Sequence, residues 1–218
     1  MNALKHSWAI RALCVALAFY CASAAQAGIV FQLGNNPQPG EENILLTAGD
    51  AGMSVVGTTN ISNLDVTLTS TQTLVISANG TVLGDGTPLT NISFTLTNGG
   101  SSNDYILNPV IGTTCSGCAG GTATISVEAL NNGLPEGIFT FSYALGNGQN
   151  FVTVTAISGE SISSISILAP LGFTSLAQPH ISGPYTGVTA VPEPATLALL
   201  GLGLGGLRFA RRKHQPLQ

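Results

Sequence analysis

Basic residues are missing from almost the whole chain, because no lysine or arginine lies between Arg11 and Arg208. Charged residues make up only 7% of the 218 residues, against about 25% in a typical soluble domain. Residues 28–190 carry a formal charge of −9 from nine acids and no base: Glu41, Glu42, Asp50, Asp65, Asp85, Asp104, Glu128, Glu136 and Glu160. Nucleic acids, nucleotides and anionic lipids are bound mainly through lysine and arginine, so this composition excludes those ligands.

The N-terminus has the three parts of a secretory signal. Lys5 and Arg11 form a positive n-region, residues 12–22 form an apolar h-region, and Ala25-Gln26-Ala27 is an A-x-A cleavage site. We therefore expect cleavage after Ala27, which makes Gly28 the first residue of the mature chain. A permanent anchor is disfavoured, because eleven apolar residues cannot cross a hydrocarbon core of about 30 Å.

The C-terminus combines a proline-flanked acid, a short apolar segment and a basic end. Val191-Pro192-Glu193-Pro194 precedes the apolar residues 195–210. Sixteen residues span about 24 Å as a helix, which is short for a permanent membrane span. The positive-inside rule keeps the basic cluster in the cytoplasm: Arg208, Arg211, Arg212 and Lys213. The pattern predicts temporary membrane retention, with an ordinary single-pass anchor as the alternative.

This order of features resembles the PEP-CTERM sorting domain. The resemblance implies that Pro192, Glu193 and Pro194 are the recognition motif of an exosortase, an integral-membrane cysteine transpeptidase-like enzyme. It also implies transient residence in the inner membrane, followed by cleavage near the motif and arrival at the cell surface or outside the cell. The expected partners are thus the secretion machinery and the exosortase.

The region between the two ends has the pattern of an antiparallel β domain. Apolar residues alternate with Thr or Ser at 65–69, 92–97, 123–127, 138–143, 151–155 and 162–167, which is typical of half-buried strands. Asn-Gly or Asp-Gly pairs, such as Asn132-Gly133, separate the runs and favour tight turns. We predict an all-β fold of eight to eleven short strands, an antiparallel sandwich of jelly-roll type. The expected limits are a signal at 1–27, the sandwich at 28–170, a final short strand and linker at 171–190, and the sorting segment at 191–218.

The body also resembles β-rich surface domains common among PEP-CTERM proteins. The segments that carry this looser resemblance are Val56-Gly57-Thr58-Thr59-Asn60 before the 65–69 run, and residues 148–154 before the 162–167 run. It implies a surface domain with no known catalytic residues.

Two cysteines remain after signal removal, Cys115 and Cys118. Gly120-Gly121 and a predicted strand follow them, whereas a redox-active CxxC normally opens a helix. An oxidising compartment favours a short disulfide between them. A redox pair, a metal site and free thiols are the alternatives.

No catalytic or metal motif accompanies the remaining polar residues. His180 is the single histidine of the body and lies at the predicted linker edge, where a solvated side chain is expected. No G-x-S-x-G elbow is present to serve a hydrolase. We expect no cofactor, although a loop calcium site that uses Asp85 or Asp104 with backbone oxygens stays open, since such sites leave little sequence trace.

These observations favour a non-enzymatic structural protein of the surface or extracellular matrix, associated with the envelope or an exopolysaccharide. The alternative is a carbohydrate-binding or adhesive module, which exposed aromatic side chains at Tyr105, Tyr143 and Tyr185 would indicate. A hydrolase and an ice-binding protein are more remote alternatives.

Overall fold

The structure is a computed structural model that describes residues 28–115 and 117–185. This part contains thirteen strands: β1 (Ile29–Leu33), β2 (Glu41–Leu45), β3 (Ala51–Thr59), β4 (Asp65–Ile76), β5 (Val82–Gly84), β6 (Leu89–Leu96), β7 (Asp104–Ile111), β8 (Thr122–Asn131), β9 (Leu134–Ala144), β10 (Gly148–Gln149), β11 (Val152–Ala156), β12 (Glu160–Phe173) and β13 (Ser175–Ser182). Its helical elements are two three-residue 3₁₀ turns, Thr97–Gly99 and Thr113–Cys115. The all-β prediction is confirmed for these residues, and the two predicted terminal helices fall outside them. Within the same ranges, no helix has the length and apolarity to cross a membrane.

The strands form one antiparallel, hydrogen-bonded sheet. Its order is β1-β11-β7-β13-β2-β3-β4-β6-β12-β8-β9, with β10 paired to β7, and β5 paired to both β13 and β4. Thirteen strands exceed the eight to eleven expected. Eleven of them follow one continuous path, from which β5 and β10 branch, so the jelly-roll sandwich stays a prediction.

The core lies between distant parts of this sheet. Phe94 in β6 and Tyr105 in β7 pack with ring centroids 6.3 Å apart, although their strands are not neighbours in the sheet. Alternate residues of β4, such as Val66 and Leu68, are fully buried between more exposed threonines. The two-residue period of the sequence therefore determines which side of each strand enters the core.

The β8–β9 hairpin shows how turn residues set the register. Asn132 and Gly133 both have positive φ, 51° and 77°, between the paired residues Asn131 and Leu134. Two successive positive φ values are the requirement of the tight turn that matches strand twist. The predicted Asn-Gly turn is present, and ten residue pairs follow it along the hairpin.

The six alternating runs fall within or overlap β4, β6, β8, β9, β11 and β12. No alternating run was predicted for β7, which has the sequence DYILNPVI. Seven of its eight residues are buried, because both faces of the strand are covered. A strand buried on both faces loses its apolar–polar alternation, which explains the omission.

The β domain continues past the expected boundary at residue 170. Strand β12 runs to Phe173, and the final short strand expected after residue 170 is β13, whose eight residues lie inside the sheet between β7 and β2. Pro179 lies where the β13–β7 register shifts between Ala177 and His180. A bulge tolerates a proline, because the ladder hydrogen bond is already interrupted there.

Candidate functional site

Three polar side chains lie in one row across β2, β13 and β7. Ser182 is opposite Glu41 on one side and opposite Asp104 on the other. Their chain neighbours Ile181 and Tyr105 are buried in the core. Because successive residues of a strand face opposite sides, Ser182 and Asp104 point to the outer face of the sheet.

His180 joins this row. It precedes Ser182 by two residues in β13, so it lies on the same face, and its Nδ1 is 2.5 Å from Glu41 Oε1. The expectation of a solvated histidine at a linker edge is corrected, because His180 belongs to a central strand and is paired with a carboxylate. The pairing could not be read from the sequence, since 139 positions separate the two residues.

Asp104 is fully buried although it faces outward. Neither of its carboxylate oxygens has a hydrogen-bond partner of good distance and angle. Ser182 nevertheless lies close enough to favour the charged form and so to lower the pKa of Asp104. Desolvation raises the pKa of Asp104 and outweighs the contribution of Ser182, while nearby Glu41 raises it further. The aspartate is thus held in a site that disfavours its charge.

A cleft of about 360 Å³ opens beside Asp104. Its walls come from Gln38 and Pro39 in the β1–β2 loop, from residues 157–159 in the β11–β12 turn, and from Glu160. The loop is held over the outer face by Thr153, whose hydroxyl donates to the Gly34 carbonyl at 2.9 Å. This loop explains why an outward-facing aspartate is buried.

Glu160 is the second buried acid of the cleft. It is 5% exposed, and by strict geometry neither carboxylate oxygen has a hydrogen-bond partner. Burial raises the pKa of Glu160, and Glu136 raises it further, while a backbone hydrogen bond from Gly28 opposes them. The burial of Glu160 was not predicted, because nothing in its local sequence distinguishes a buried acid from a solvated one.

The two calcium candidates are not brought together. Asp85 follows β5, which pairs with β13 at Ser175 and Leu176, whereas Asp104 pairs with β13 at Ser182. At about 3.3 Å per residue, this separation along β13 is about 20 Å. Across residues 28–115 and 117–185, no group of three His, Cys, Asp or Glu side chains is placed to hold a metal ion, and a loop calcium site built mainly from backbone oxygens stays a prediction.

The tyrosines do not form an exposed binding platform. Tyr105 is 0% exposed and Tyr143 is 8% exposed, and burial raises the pKa of both phenols. Tyr185 is half-buried, and its backbone is bridged to Ser101. The exposed aromatic surface suggested for Tyr105 and Tyr143 is therefore corrected, since both rings belong to the core.

Cys115 and Cys118 lie side by side, with Cα atoms 5.4 Å apart, a separation that a disulfide spans. Both are buried against the core. The other predicted sites fall outside the described residues, apart from Gly28: the cleavage-site residues Ala25 and Ala27, the motif residues Val191, Pro192, Glu193 and Pro194, and the basic residues Arg208, Arg211, Arg212 and Lys213.

Residues 190–213 match the family model of the PEP-CTERM protein-sorting motif. It covers the Pro-Glu-Pro motif, the apolar segment and the basic end. The chain therefore carries the sorting signal of an exported exosortase substrate. No curated protein matches the sequence.

Solved structures of family 29 carbohydrate-binding modules resemble the chain weakly. The module CBM29_1 from Piromyces equi shares 11% identity with a TM-score of 0.29, covering 72% of this chain and 91% of that one. A mutant of a second family 29 module shares 12% identity with a TM-score of 0.24, covering 78% and 99%. Scores this low carry no argument about fold or ligand.

Proposed function

We propose that this protein is a non-enzymatic surface or matrix component, exported by a signal cleaved after Ala27 and sorted through its C-terminal segment. The match of residues 190–213 to the PEP-CTERM sorting motif carries the proposal. The exosortase cuts near Pro192-Glu193-Pro194 and releases or transfers the β domain. The domain, which we infer to be a sandwich folded from one continuous sheet, then serves the envelope or its exopolysaccharide.

The short connection between domain and motif supports cleavage close to the folded body. Tyr185 exchanges two backbone hydrogen bonds with Ser101, at 3.0 and 2.9 Å. Pro192 follows seven residues later, so at no more than about 3.6 Å per residue the motif begins within about 25 Å of that bridge. The final strand expected within 171–190 extends to Ser182, which leaves only a short part of that segment as linker. We infer that the exosortase works beside a folded domain near the membrane surface.

Charge restricts the proposed polysaccharide partner. The body has nine acids and no lysine or arginine, so its field repels an anionic polymer. A neutral glycan of the matrix is the class that this charge permits. A glycan array probed with the mature protein tests it: binding to neutral glycans supports the association, and binding confined to anionic glycans contradicts it.

Processing is tested by mass spectrometry of protein recovered from the cell surface. The wild type should end near Pro194, and replacement of Pro192, Glu193 and Pro194 by alanine should leave a membrane-bound precursor. The apolar segment and basic end are unchanged in this variant, so insertion should persist. Pro216→Ala, beyond the motif, is the matched control and should be processed normally.

The neutralisation of Arg211, Arg212 and Lys213 should have the opposite effect, because translocation loses its basic stop. Uncut chain should then escape from the membrane. Surface protein that retains Gln218 in the wild type would contradict sorting by cleavage.

A further inference from the structure

The buried carboxylate of Glu160 lies beside the point where the mature chain is expected to begin. Ile29 pairs with Ala156, which brings Gly28 opposite Ile157. The N–H of Ile157 donates to the Gly28 carbonyl at 2.7 Å, and the N–H of Glu160 donates to the Ile157 carbonyl at 3.3 Å. Gly28 and Glu160 are therefore both hydrogen-bonded to Ile157, Gly28 through the N–H of that residue and Glu160 through its carbonyl.

The carbonyl of Gly28 already accepts from Ile157, so its nitrogen is the backbone group left to face Glu160. Its N–H is close enough to the carboxylate to favour the charged form, although burial and Glu136 outweigh it. In the uncleaved chain that nitrogen is a neutral amide joined to Ala27. A single amide dipole offsets little of the free energy needed to bury the charged carboxylate, since neither oxygen of Glu160 has a hydrogen-bond partner of good distance and angle.

Signal removal changes the chemistry of this nitrogen. A signal peptidase of the export machinery hydrolyses the Ala27–Gly28 peptide bond with one water molecule. The carbonyl carbon of Ala27 keeps the oxygen of that water, and the nitrogen of Gly28 gains a proton. At neutral pH the products are a carboxylate on Ala27 and an α-ammonium on Gly28.

We propose that the α-ammonium of Gly28, created by signal removal, forms an ion pair with the buried carboxylate of Glu160 and locks the first strand of the mature domain in place. The inference rests on the proposed export with cleavage after Ala27. The mature domain thereby gains the cationic partner that its own side chains do not supply, since residues 12–207 contain no lysine or arginine.

Glycine is the residue that permits this approach. Gly28 is buried, and a Cβ at this position would collide with Cγ1 of Ile157 and lie 3.2 Å from its carbonyl oxygen. Any side chain would push the chain end away from the β11–β12 turn. Cleavage after Ala27 therefore starts the mature chain with the one residue type that fits against Ile157 at this position.

Other charged groups near the pair are acidic. Glu136 in β9 acts directly on Glu160, and Asp104 in β7 lines the same cleft. Farther along the sheet, Glu41 in β2 raises the pKa of Asp104, and His180 in β13 lowers it. Glu160 and its neighbour Glu136 outnumber the single ammonium, so their immediate surroundings stay negative, which further favours protonation of the amine.

The absence of lysine allows a direct test. After cleavage, the primary amines of residues 28–218 are the α-amine of Gly28 and Lys213. Mature protein from a secreting host is acetylated over a range of pH, and peptide mass spectrometry measures each site. Lys213 is the internal reference where the tail is retained, and a small peptide amine is the reference where it is removed.

The ion pair should suppress acetylation of Gly28 at pH 7–8. We expect the labelling midpoint to lie above the ordinary α-amine range of about 7.7–8.0, and the rate to rise about tenfold in Glu160→Gln, since one pKa unit changes the free-amine fraction tenfold. Glu128→Gln, at an exposed position of β8, is the matched control and should leave the rate unchanged. Equal rates in all three proteins would overturn the pairing.

A second measurement does not depend on any variant. The midpoint in folded wild type is compared with that in the same protein unfolded by urea, and an unchanged midpoint would also overturn the ion pair. N-terminal sequencing separates the two proposals. If the mature chain starts at Gly28 but its amine has an ordinary labelling midpoint, only the ion pair is contradicted. If the chain starts at another residue, both the proposed cleavage after Ala27 and the ion pair are contradicted.

Discussion

Phe31 in β1 stacks on Phe141 in β9, with ring centroids 5.3 Å apart and planes inclined by 19°. These two strands are the opposite ends of the sheet order. The contact therefore brings the first and last strands of the path together, so the sheet folds back on itself. Tyr143 continues the stack at 6.0 Å from Phe141.

The stack should couple the two edge strands energetically. We expect Phe31→Ala and Phe141→Ala each to lower the free energy of unfolding, and the double variant to lose about 1 kcal/mol less than their sum. Urea unfolding of the four proteins of the cycle measures this coupling. Strict additivity would show that the rings are adjacent without stabilising each other. Phe139, two residues earlier in β9, offers a comparison ring.

Asp104→Asn should stabilise the domain at neutral pH. Burial raises the pKa of Asp104, so its folded pKa exceeds the unfolded value of 3.8. The folded state then binds more protons, and wild-type stability falls as pH rises from about 4 through the folded pKa. The variant lacks this titration and should gain about 1 kcal/mol or more at pH 7. Thermal melts from pH 3 to pH 8 measure the difference, and an equal pH dependence in both proteins would contradict it.

Among substitutions of acidic residues, Glu42→Ala should cause one of the larger losses in the free energy of unfolding. Its carboxylate accepts from the N–H of Ile61 at 3.1 Å and from the N–H and hydroxyl of Ser62 at 2.8 and 2.9 Å. Hydrogen bonds to a charged group contribute about 1.5–3 kcal/mol each, so a loss of about 3 kcal/mol is expected. Chemical denaturation checks it, with Glu128→Ala on the exposed face of β8 as control. A loss below about 0.5 kcal/mol would mean that water replaces the carboxylate.

Gly133→Ala should weaken the β8–β9 hairpin. The φ of Gly133 is 77°, a left-handed conformation that costs an L-residue about 1–2 kcal/mol. Gly146→Ala is the matched control, because an added Cβ there meets only Asn150 Oδ1 at 3.6 Å. The difference in unfolding free energy between the two variants measures the cost of the turn. Equal effects would show that the turn relaxes to another type.

Cys115 and Cys118 should be bonded to each other in exported protein. Thiol labelling without reduction should modify neither cysteine, and modification of both would rule out the bond. Because only three positions separate them, the bond should stabilise the domain by less than the 2–4 kcal/mol typical of longer loops. Denaturation with and without reductant measures that contribution.

The sequence predicted the β class and six strand regions, because alternation and Asn-Gly turns are local signals. It did not predict β7, which is buried on both faces, or the central place of β13, whose proline lies in a bulge. It also left open whether Tyr105 and Tyr143 are exposed, since the residue type alone does not indicate which face of a strand is covered. The row of Glu41, Ser182 and Asp104 on the outer face of the sheet could not be predicted, because these residues come from strands far apart in the sequence.

The sequence by itself determined the sorting signal and the absence of basic side chains from the body. Both are properties of linear order and composition, and they need no folded neighbours. Only the tertiary structure decided which acidic side chains are buried, where their charge destabilises the folded state. Asp104, Glu160 and Glu128 have similar side chains, yet two are buried in a cleft and one is exposed. Burial depends on which loop and which strand cover a residue, and contacts over more than a hundred positions, such as Thr153 with Gly34, fix that covering.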